Sequence, residues 1–315
     1  MALTVGVDVG GTKVAAGVVD ESGQVVAQLR RATSAQVEGA AEQTIAELVL
    51  ELAATHPVEA VGVGAAGLVD ETRSVVRFAP NLGWREQPLR ELLESATNLP
   101  VVVENDANAA AWAEYRFGAA RGRDDVVMVT VGTGIGGALI LGGSLYRGGF
   151  GLAGEIGHLV LDPDGPACGC GRRGCWEQFA SGNALLRDAR ARAADDRESA
   201  RLLLSLGDGT PEGVAGAHIT MAARQGDAVA LAVFAHAGYW LGRGMAELAA
   251  VLDPHCYVVG GGVSEAGDLL LGPARTAFAE HLMGADVRPG ADIVIAELGN
   301  LAGLVGAAEL ARVRH

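Results

Sequence analysis

Asp8-Val9-Gly10-Gly11-Thr12-Lys13 closes one short apolar run, Thr4 to Asp8, and opens another, Lys13 to Asp20. Valine-rich runs of this length bounded by glycine read as strands, so the hexapeptide is a tight turn between two of them. A third strand follows at Val25 to Ala32. The same pattern returns later: strands at 126 to 131 and 137 to 141 flank Val131-Gly132-Thr133-Gly134-Ile135-Gly136-Gly137. Two α/β halves that each open on a strand and a glycine turn amount to a weak internal duplication.

Working outward, residues 37 to 54 place Val37, Ala41, Ile45, Leu48 and Leu52 at helical spacing. A strand at Ala60 to Gly64, a helix near Pro88 to Ala96, a strand at Val101 to Glu104 and a helix from Asn105 complete the first half. The second half continues in helices up to Leu252, with the polar stretch Asp195 to Gly213 read as a loop between them. A strand at Cys256 to Val259, a helix around 267 to 283 and a strand at Ile293 to Ala296 follow. The last helix, Leu301 to Val313, is expected to cross back to the first half. The expected division is a small α/β domain, 1–110 plus 301–315, and a large one, 111–300.

Composition suits an intracellular enzyme. A chain of 315 residues is long for one simple core and fits two domains. Half of it is hydrophobic and 20% charged, so large cores can form. A net charge of −14 argues against nucleic acid or an anionic membrane as partner, since both need a basic face. Residues 1 to 10 lack the basic start and long apolar region of a signal peptide, which points to the cytoplasm. Val126 to Tyr146 carries no charge and has the length of a membrane span, but its six glycines favour buried strands over a helix.

Small turns let backbone N–H groups approach phosphate oxygens. At Gly10, Gly11, Gly132, Gly134 and Gly136 there is no side chain in the way, and Thr12 and Thr133 add hydroxyl donors. A third turn, Gly260-Gly261-Gly262-Val263-Ser264, ends a strand ahead of a helix, where Gly261 and Gly262 offer bare backbone to a flat base or ribose. One such turn means little; three at corresponding strand ends point to a nucleotide. Lys13, beside the first turn, is the only lysine among 24 basic residues. A literal dinucleotide match, Gly62-x-Gly64-x-x-Gly67, runs into what reads as a β-hairpin at Leu68 to Val76, so it fails its structural context. No Walker A lysine follows any glycine pair.

In Val103-Glu104-Asn105-Asp106-Ala107-Asn108 a strand ends and a helix begins. Asn105 or Asp106 can serve there simply as an N-cap. Strand ends in α/β sheets also face the ligand, which makes this segment the place to look for a base.

His158, Cys168, Cys170 and Cys175 fall within eighteen residues, a Cys₃His set of the kind that holds structural zinc. A disulfide from Cys168 or Cys170 to Cys175 is the bland alternative, weighed down by the intracellular setting. A closed site of this type has no open position for a catalytic water. Glu155 and Glu177 stand just outside the ligands, so a metal here would fix two carboxylates in space.

Taken in order, Asp8-x-Gly-Gly-Thr-Lys13, Glu104-Asn-Asp-Ala-Asn108, the turn at 132 to 137, Gly154-Glu-Ile-Gly-His158 and Cys168-Gly-Cys-Gly-Arg-Arg-Gly-Cys-Trp-Glu177 resemble the ROK family of repressors and sugar kinases. The resemblance spans essentially the whole chain. It implies an actin-like, hexokinase-type ATPase fold, with two α/β domains around a cleft and a zinc-binding loop. It further implies transfer of the γ-phosphoryl of ATP to the 6-hydroxyl of glucose, as in the family's bacterial glucokinase branch, with Asp106 as general base. On the same grounds Asn81, Asn105, Glu155, His158 and Glu177 hold sugar hydroxyls. Asp8 lies near Mg²⁺ and the phosphates. His158 serves both zinc and sugar. Related kinases act on N-acetylmannosamine, N-acetylglucosamine or fructose, and polyphosphate is an alternative donor; a silent sugar sensor is the reading from another class. Family members form dimers or tetramers, and the regulator branch carries an N-terminal helix-turn-helix for which there is no room before Asp8.

Overall fold

The computed structural model describes residues 2–33, 37 and 39–313. By packing, the chain divides into two units: Met1–Met128 with Ala138–Gly154 and Ala296–His315, and Val129–Gly137 with Glu155–Ile295.

The first unit opens with β1 (Leu3–Val9), β2 (Lys13–Val19) and β3 (Val25–Ala32), an antiparallel meander whose first turn is the glycine turn read from sequence. Helix α1 (Ala40–Ala53) follows, then β4 (Val58–Ala65), β5 (Leu68–Val69), β6 (Val76–Ala79), β7 (Trp84–Gln87), α2 (Leu89–Thr97), β8 (Val101–Asn105) and α3 (Asp106–Phe117). The main sheet has the order β3-β2-β1-β4-β8, with β4 parallel to both β1 and β8. Both faces are covered, so β1 is buried along most of its length although its valines alternate: Val5, Val7 and Val9 share one face, and Thr4 and Gly6 lie on the other. On one face Ile45, Leu48 and Leu52 of α1 and Leu93 of α2 pack against Val5, Val7 and Val63.

Helix α1 starts three residues later than its apolar spacing predicts. Gly39, in the left-handed region at φ 76°, sets the N-cap there, and Val37 is 60% exposed. The hairpin expected at 68 to 76 is present as β5 and β6, which rules out a helix after Gly67.

The uncharged stretch from Val126 forms β9 (Val126–Val131), β10 (Ile135–Leu141) and β11 (Ser144–Tyr146). No helix among the described residues is long and apolar enough to cross a membrane. The second unit adds α4 (Glu177–Ala180), α5 (Gly182–Asp195), α6 (Arg201–Leu206), α7 (Gly216–Arg224) and α8 (Ala228–Leu252). It ends with β12 (Cys256–Gly260), α9 (Asp268–His281) and β13 (Asp292–Ile295), and the second sheet runs β11-β10-β9-β12-β13. The stretch expected to be a loop, Asp195 to Gly213, contains α6. Asp227, 5% exposed, accepts from Leu203 N–H in α6 and caps α8 through Ala230 N–H, so one buried carboxylate ties two helices together.

The chain then returns to the first unit. Helix α10 (Ala302–Val313) lies on the other face of the first sheet, where Leu304, Val305 and Ala308 join Val19 and Ala113. The approach is backbone to backbone: a Cβ at Gly6 would overlap the Leu304 carbonyl, one at Gly62 the Ala307 carbonyl, and one at Gly306 the Ala109 carbonyl of α3.

Candidate active site

In the first sheet Asp8 pairs with Gly64, and Gly64 with Glu104, across parallel strands. Asp8 and Asp106 therefore emerge at one carboxyl edge, where ligands of open α/β sheets bind. Gly64 puts no side chain between them; the Asp106 Cα lies 3.7 Å from where a Gly64 Cβ would stand. Burial raises the Asp8 carboxyl to about 6, and the charge of Asp106 pushes the same way, while Lys13 and Arg30 pull it down. Burial also raises Asp106, against backbone donors at the start of α3. Two carboxylates that favour a proton more than usual, at one strand edge, are suited to acid–base work.

Asn105 is the N-cap of α3: its Oδ1 accepts from Ala107 N–H at 2.9 Å and Asn108 N–H at 3.1 Å. Its Nδ2 donates to Gly67 O at 3.1 Å, which leaves one amide hydrogen for a ligand. The cap reading of this residue thus holds, and it fixes Asp106 as the first helical residue. The Gly10-Gly11-Thr12-Lys13 turn closes through Gly10 N–H to Lys13 O at 3.0 Å, with Thr12 and Lys13 exposed. Asn81 comes to the same turn: its carbonyl oxygen would be 3.0 Å from a Cβ on Gly11, and its side chain is exposed.

In the second unit, the 132–136 turn is held by Gly132 N–H to Gly134 O at 3.0 Å and by Gly182 N–H to Gly132 O at 2.7 Å. Gly261, at φ 84°, lies against the turn; a Cβ there would sit 2.5 Å from Val131 O. Beside them opens a cavity of about 730 Å³ lined by Gly132, Thr133, Asn183, Thr220, Arg224 and Gly262 among others. Its size and its mix of bare backbone and apolar wall suit a nucleoside. Asn183, Thr220 and Arg224 were not anticipated. They lie on α5 and α7, outside any glycine motif; the one available signal is Ser181, which caps α5 through Ala184 N–H and so points a helix start at the turn.

His158, Cys168, Cys170 and Cys175 form one cluster, with all four ligand atoms within 4.8 Å of one another. The Cys170 and Cys175 sulfurs are 3.6 Å apart, and Cys168 Sγ is 3.6 Å from His158 Nδ1. A tetrahedron with Zn–S of about 2.3 Å and Zn–N of about 2.0 Å requires S···S of about 3.8 Å and S···N of about 3.5 Å, so the donor set fits zinc. None of these three cysteines is in a disulfide. Arg172 donates to His158 O at 2.7 Å, and Trp176, wholly buried, donates to Trp240 O at 2.8 Å, anchoring the loop on α8.

Glu177 is drawn into the cluster, its Oε1 3.0 Å from Cys168 Sγ and 3.7 Å from His158 Nδ1. Its Oε2 would lie 2.6 Å from a Cβ on Gly134, so the glutamate bridges the Cys₃His cluster and the glycine turn. Glu155 is exposed at the start of the 3₁₀ turn that carries His158. Nδ1 of His158 faces the cysteines, which leaves Nε2 as the nitrogen for a second partner.

The profile of the ROK family matches residues 4–314. The chain is 52% identical to the glucokinase of Streptomyces coelicolor over 99% of its length and 98% of that protein's. Among solved structures it is similar to a ROK family glucokinase from Streptomyces griseus in complex with glucose and AMPPNP, with 54% identity, a TM-score of 0.90, and 99% and 100% of the two chains covered. The ROK hexokinase from Thermus thermophilus is 37% identical with a TM-score of 0.83, over 99% of this chain and 98% of that one.

Proposed function

The chain belongs to the ROK family, and on that premise we propose that it is a glucokinase, moving the γ-phosphoryl of ATP to the 6-hydroxyl of glucose. The observation that carries the reading is full-length likeness, at 54% identity, to a glucokinase solved with glucose and AMPPNP.

In this reading Asp106 takes the proton from the 6-hydroxyl, and the freed oxygen attacks the γ-phosphorus in line. The raised pKa of Asp106 supports the role, because a base nearer the working pH accepts a proton more readily. The turns at Gly10–Lys13 and Gly132–Gly136 cradle phosphate oxygens, and the cavity beside Thr133, Asn183 and Gly262 takes the nucleoside. Asp8, a hard oxygen donor at the same strand edge, would hold Mg²⁺, which when bound would neutralise phosphate charge.

The residues proposed to hold sugar hydroxyls are Asn81, Asn105, Asp106, Glu155, His158 and Glu177. Carboxylates and amides placed rigidly pair hydroxyls and reject analogues that lack one. The four-ligand cluster would hold structural Zn²⁺, which when bound fixes the ring of His158 and the loop bearing Glu177. A cytoplasmic location and assembly as a dimer or tetramer belong to the same proposal.

The test is an ADP-release assay over a panel of hexoses with ATP and with polyphosphate. The expected result is the highest kcat/KM for glucose with ATP. Preference for N-acetylmannosamine, N-acetylglucosamine or fructose would move the assignment within the family, and no ADP release from any sugar would leave a binding protein.

A further inference from the structure

Glu104 precedes the Asn105-Asp106 pair, is 1% exposed, and has no task in the reaction as described. A carboxylate so deeply buried is costly unless it is paired. Arg147 Nε lies 2.9 Å and Arg73 Nε 3.1 Å from its Oε2, with the arginine side chains only 10% and 14% exposed. Its Oε1 accepts from Asn105 N–H at 2.9 Å and from Asn108 Nδ2 at 2.9 Å. One carboxylate therefore grips the chain on both sides of Asp106.

The two arginines tie that grip to distant segments. Arg147, the first residue after β11, donates through Nη2 to Asp70 O at 2.8 Å and through Nη1 to Glu71 O at 3.0 Å. Arg73 sits at the tip of the β5–β6 hairpin with φ 57°, unusual for a side chain of its size, and its carbonyl accepts from Val103 N–H at 3.1 Å. Gly151 presses on the same hairpin, since a Cβ there would be 2.7 Å from the Asp70 carbonyl carbon. Hairpin tip, β8 end and the 147–151 loop thus meet at Glu104.

We propose that Arg147 and Glu104 are positioning residues that aim Asp106 for proton transfer. Resting on the reading of Asp106 as base, the proposal adds what holds it. Arginine is needed because a planar fork spans a carboxylate and two carbonyls at once, whereas an ammonium cannot. Small displacements of a reacting group are expensive, so the brace acts on turnover more than on nucleotide binding.

The experiment compares Arg147→Ala, Arg147→Lys, Glu104→Gln and Asp106→Asn in the full chain with ATP and glucose. Arg147→Ala is expected to lose kcat by about 100-fold with the KM for ATP unchanged, and added guanidinium ion at low concentration is expected to restore part of it. Arg147→Lys should recover less than guanidinium does. Glu104→Gln keeps an acceptor for Asn105 and Asn108 and is the variant that decides if Arg147→Ala fails to fold; it too should lose kcat. Wild-type kcat in a folded Glu104→Gln or Arg147→Ala overturns the brace. So does a loss that guanidinium does not restore and that follows a fall in melting temperature. Asp106→Asn reports the base alone: if it stays active the base reading fails, whatever the arginine variants do.

Discussion

Asp8 and Asp106 share one sheet edge, and after burial the charge of Asp106 is the largest cause of the rise of Asp8 to about 6. A carboxyl raised from 3.8 binds its proton more tightly in the folded chain, so its contribution to stability is full at low pH and is lost as pH rises toward and through 6. Asp8→Asn is therefore expected to raise the melting temperature at pH 8 and leave it unchanged near pH 3, while turnover falls. Thermal melts at the two pH values check this.

Asp106→Asn keeps the shape of the side chain and removes the base. The expected loss in kcat is at least about 100-fold, with glucose affinity by titration near wild type. Because burial raises Asp106, the acid limb of kcat/KM in the unmodified protein should lie above the ordinary aspartate range. A pH–rate profile reads it directly.

Asn105 does two jobs that two substitutions separate. Asn105→Ala removes the cap and should cost about 1 kcal/mol in denaturant unfolding as well as activity. Asn105→Asp retains the acceptor for Ala107 and Asn108 but loses the donor to Gly67 O and the remaining amide hydrogen, so it keeps the cap and should bind glucose poorly. Wild-type glucose affinity in Asn105→Asp would leave the side chain no role beyond the cap.

Removal of the zinc proposed for the Cys₃His cluster is expected to free the loop that carries Glu177, which touches both Cys168 and His158. Prolonged chelation or Cys168→Ser is expected to raise the glucose KM by about tenfold and leave the ATP KM alone. Metal content by atomic emission, measured alongside steady-state kinetics, ties the effect to the ion.

The parts legible in sequence are those where local pattern and chemistry coincide. Glycine turns between valine runs mark β1, β2, β9 and β10, and the cysteine spacing marks the cluster. Boundaries fared less well: apolar spacing drew α1 back to Val37, yet the left-handed Gly39 decides where the helix starts. Helix α6 was hidden in a polar stretch because Asp227, a residue outside it, satisfies its first turn. Glu104 stood inside a recognised motif, but its partners Arg73 and Arg147 come from other segments, and no local signal links three positions so far apart. Asn183, Thr220 and Arg224 escaped for the same reason; the cavity they line exists only once α5 and α7 have packed.

Helix α10 sits in a groove of bare backbone formed by Gly6, Gly62 and Ala109, and nothing bulkier than glycine at those first two positions would admit it. On the ribosome, β1 and β4 emerge long before that helix does, and the whole second unit is made in between. The first unit must wait with one face open, so a chain stalled before residue 296 is expected to protect its later-made part from protease while the earlier-made part is still cut. The strand edge bearing Asp8 and Asp106 thus belongs to a sheet whose second face is completed by the last helix to be made.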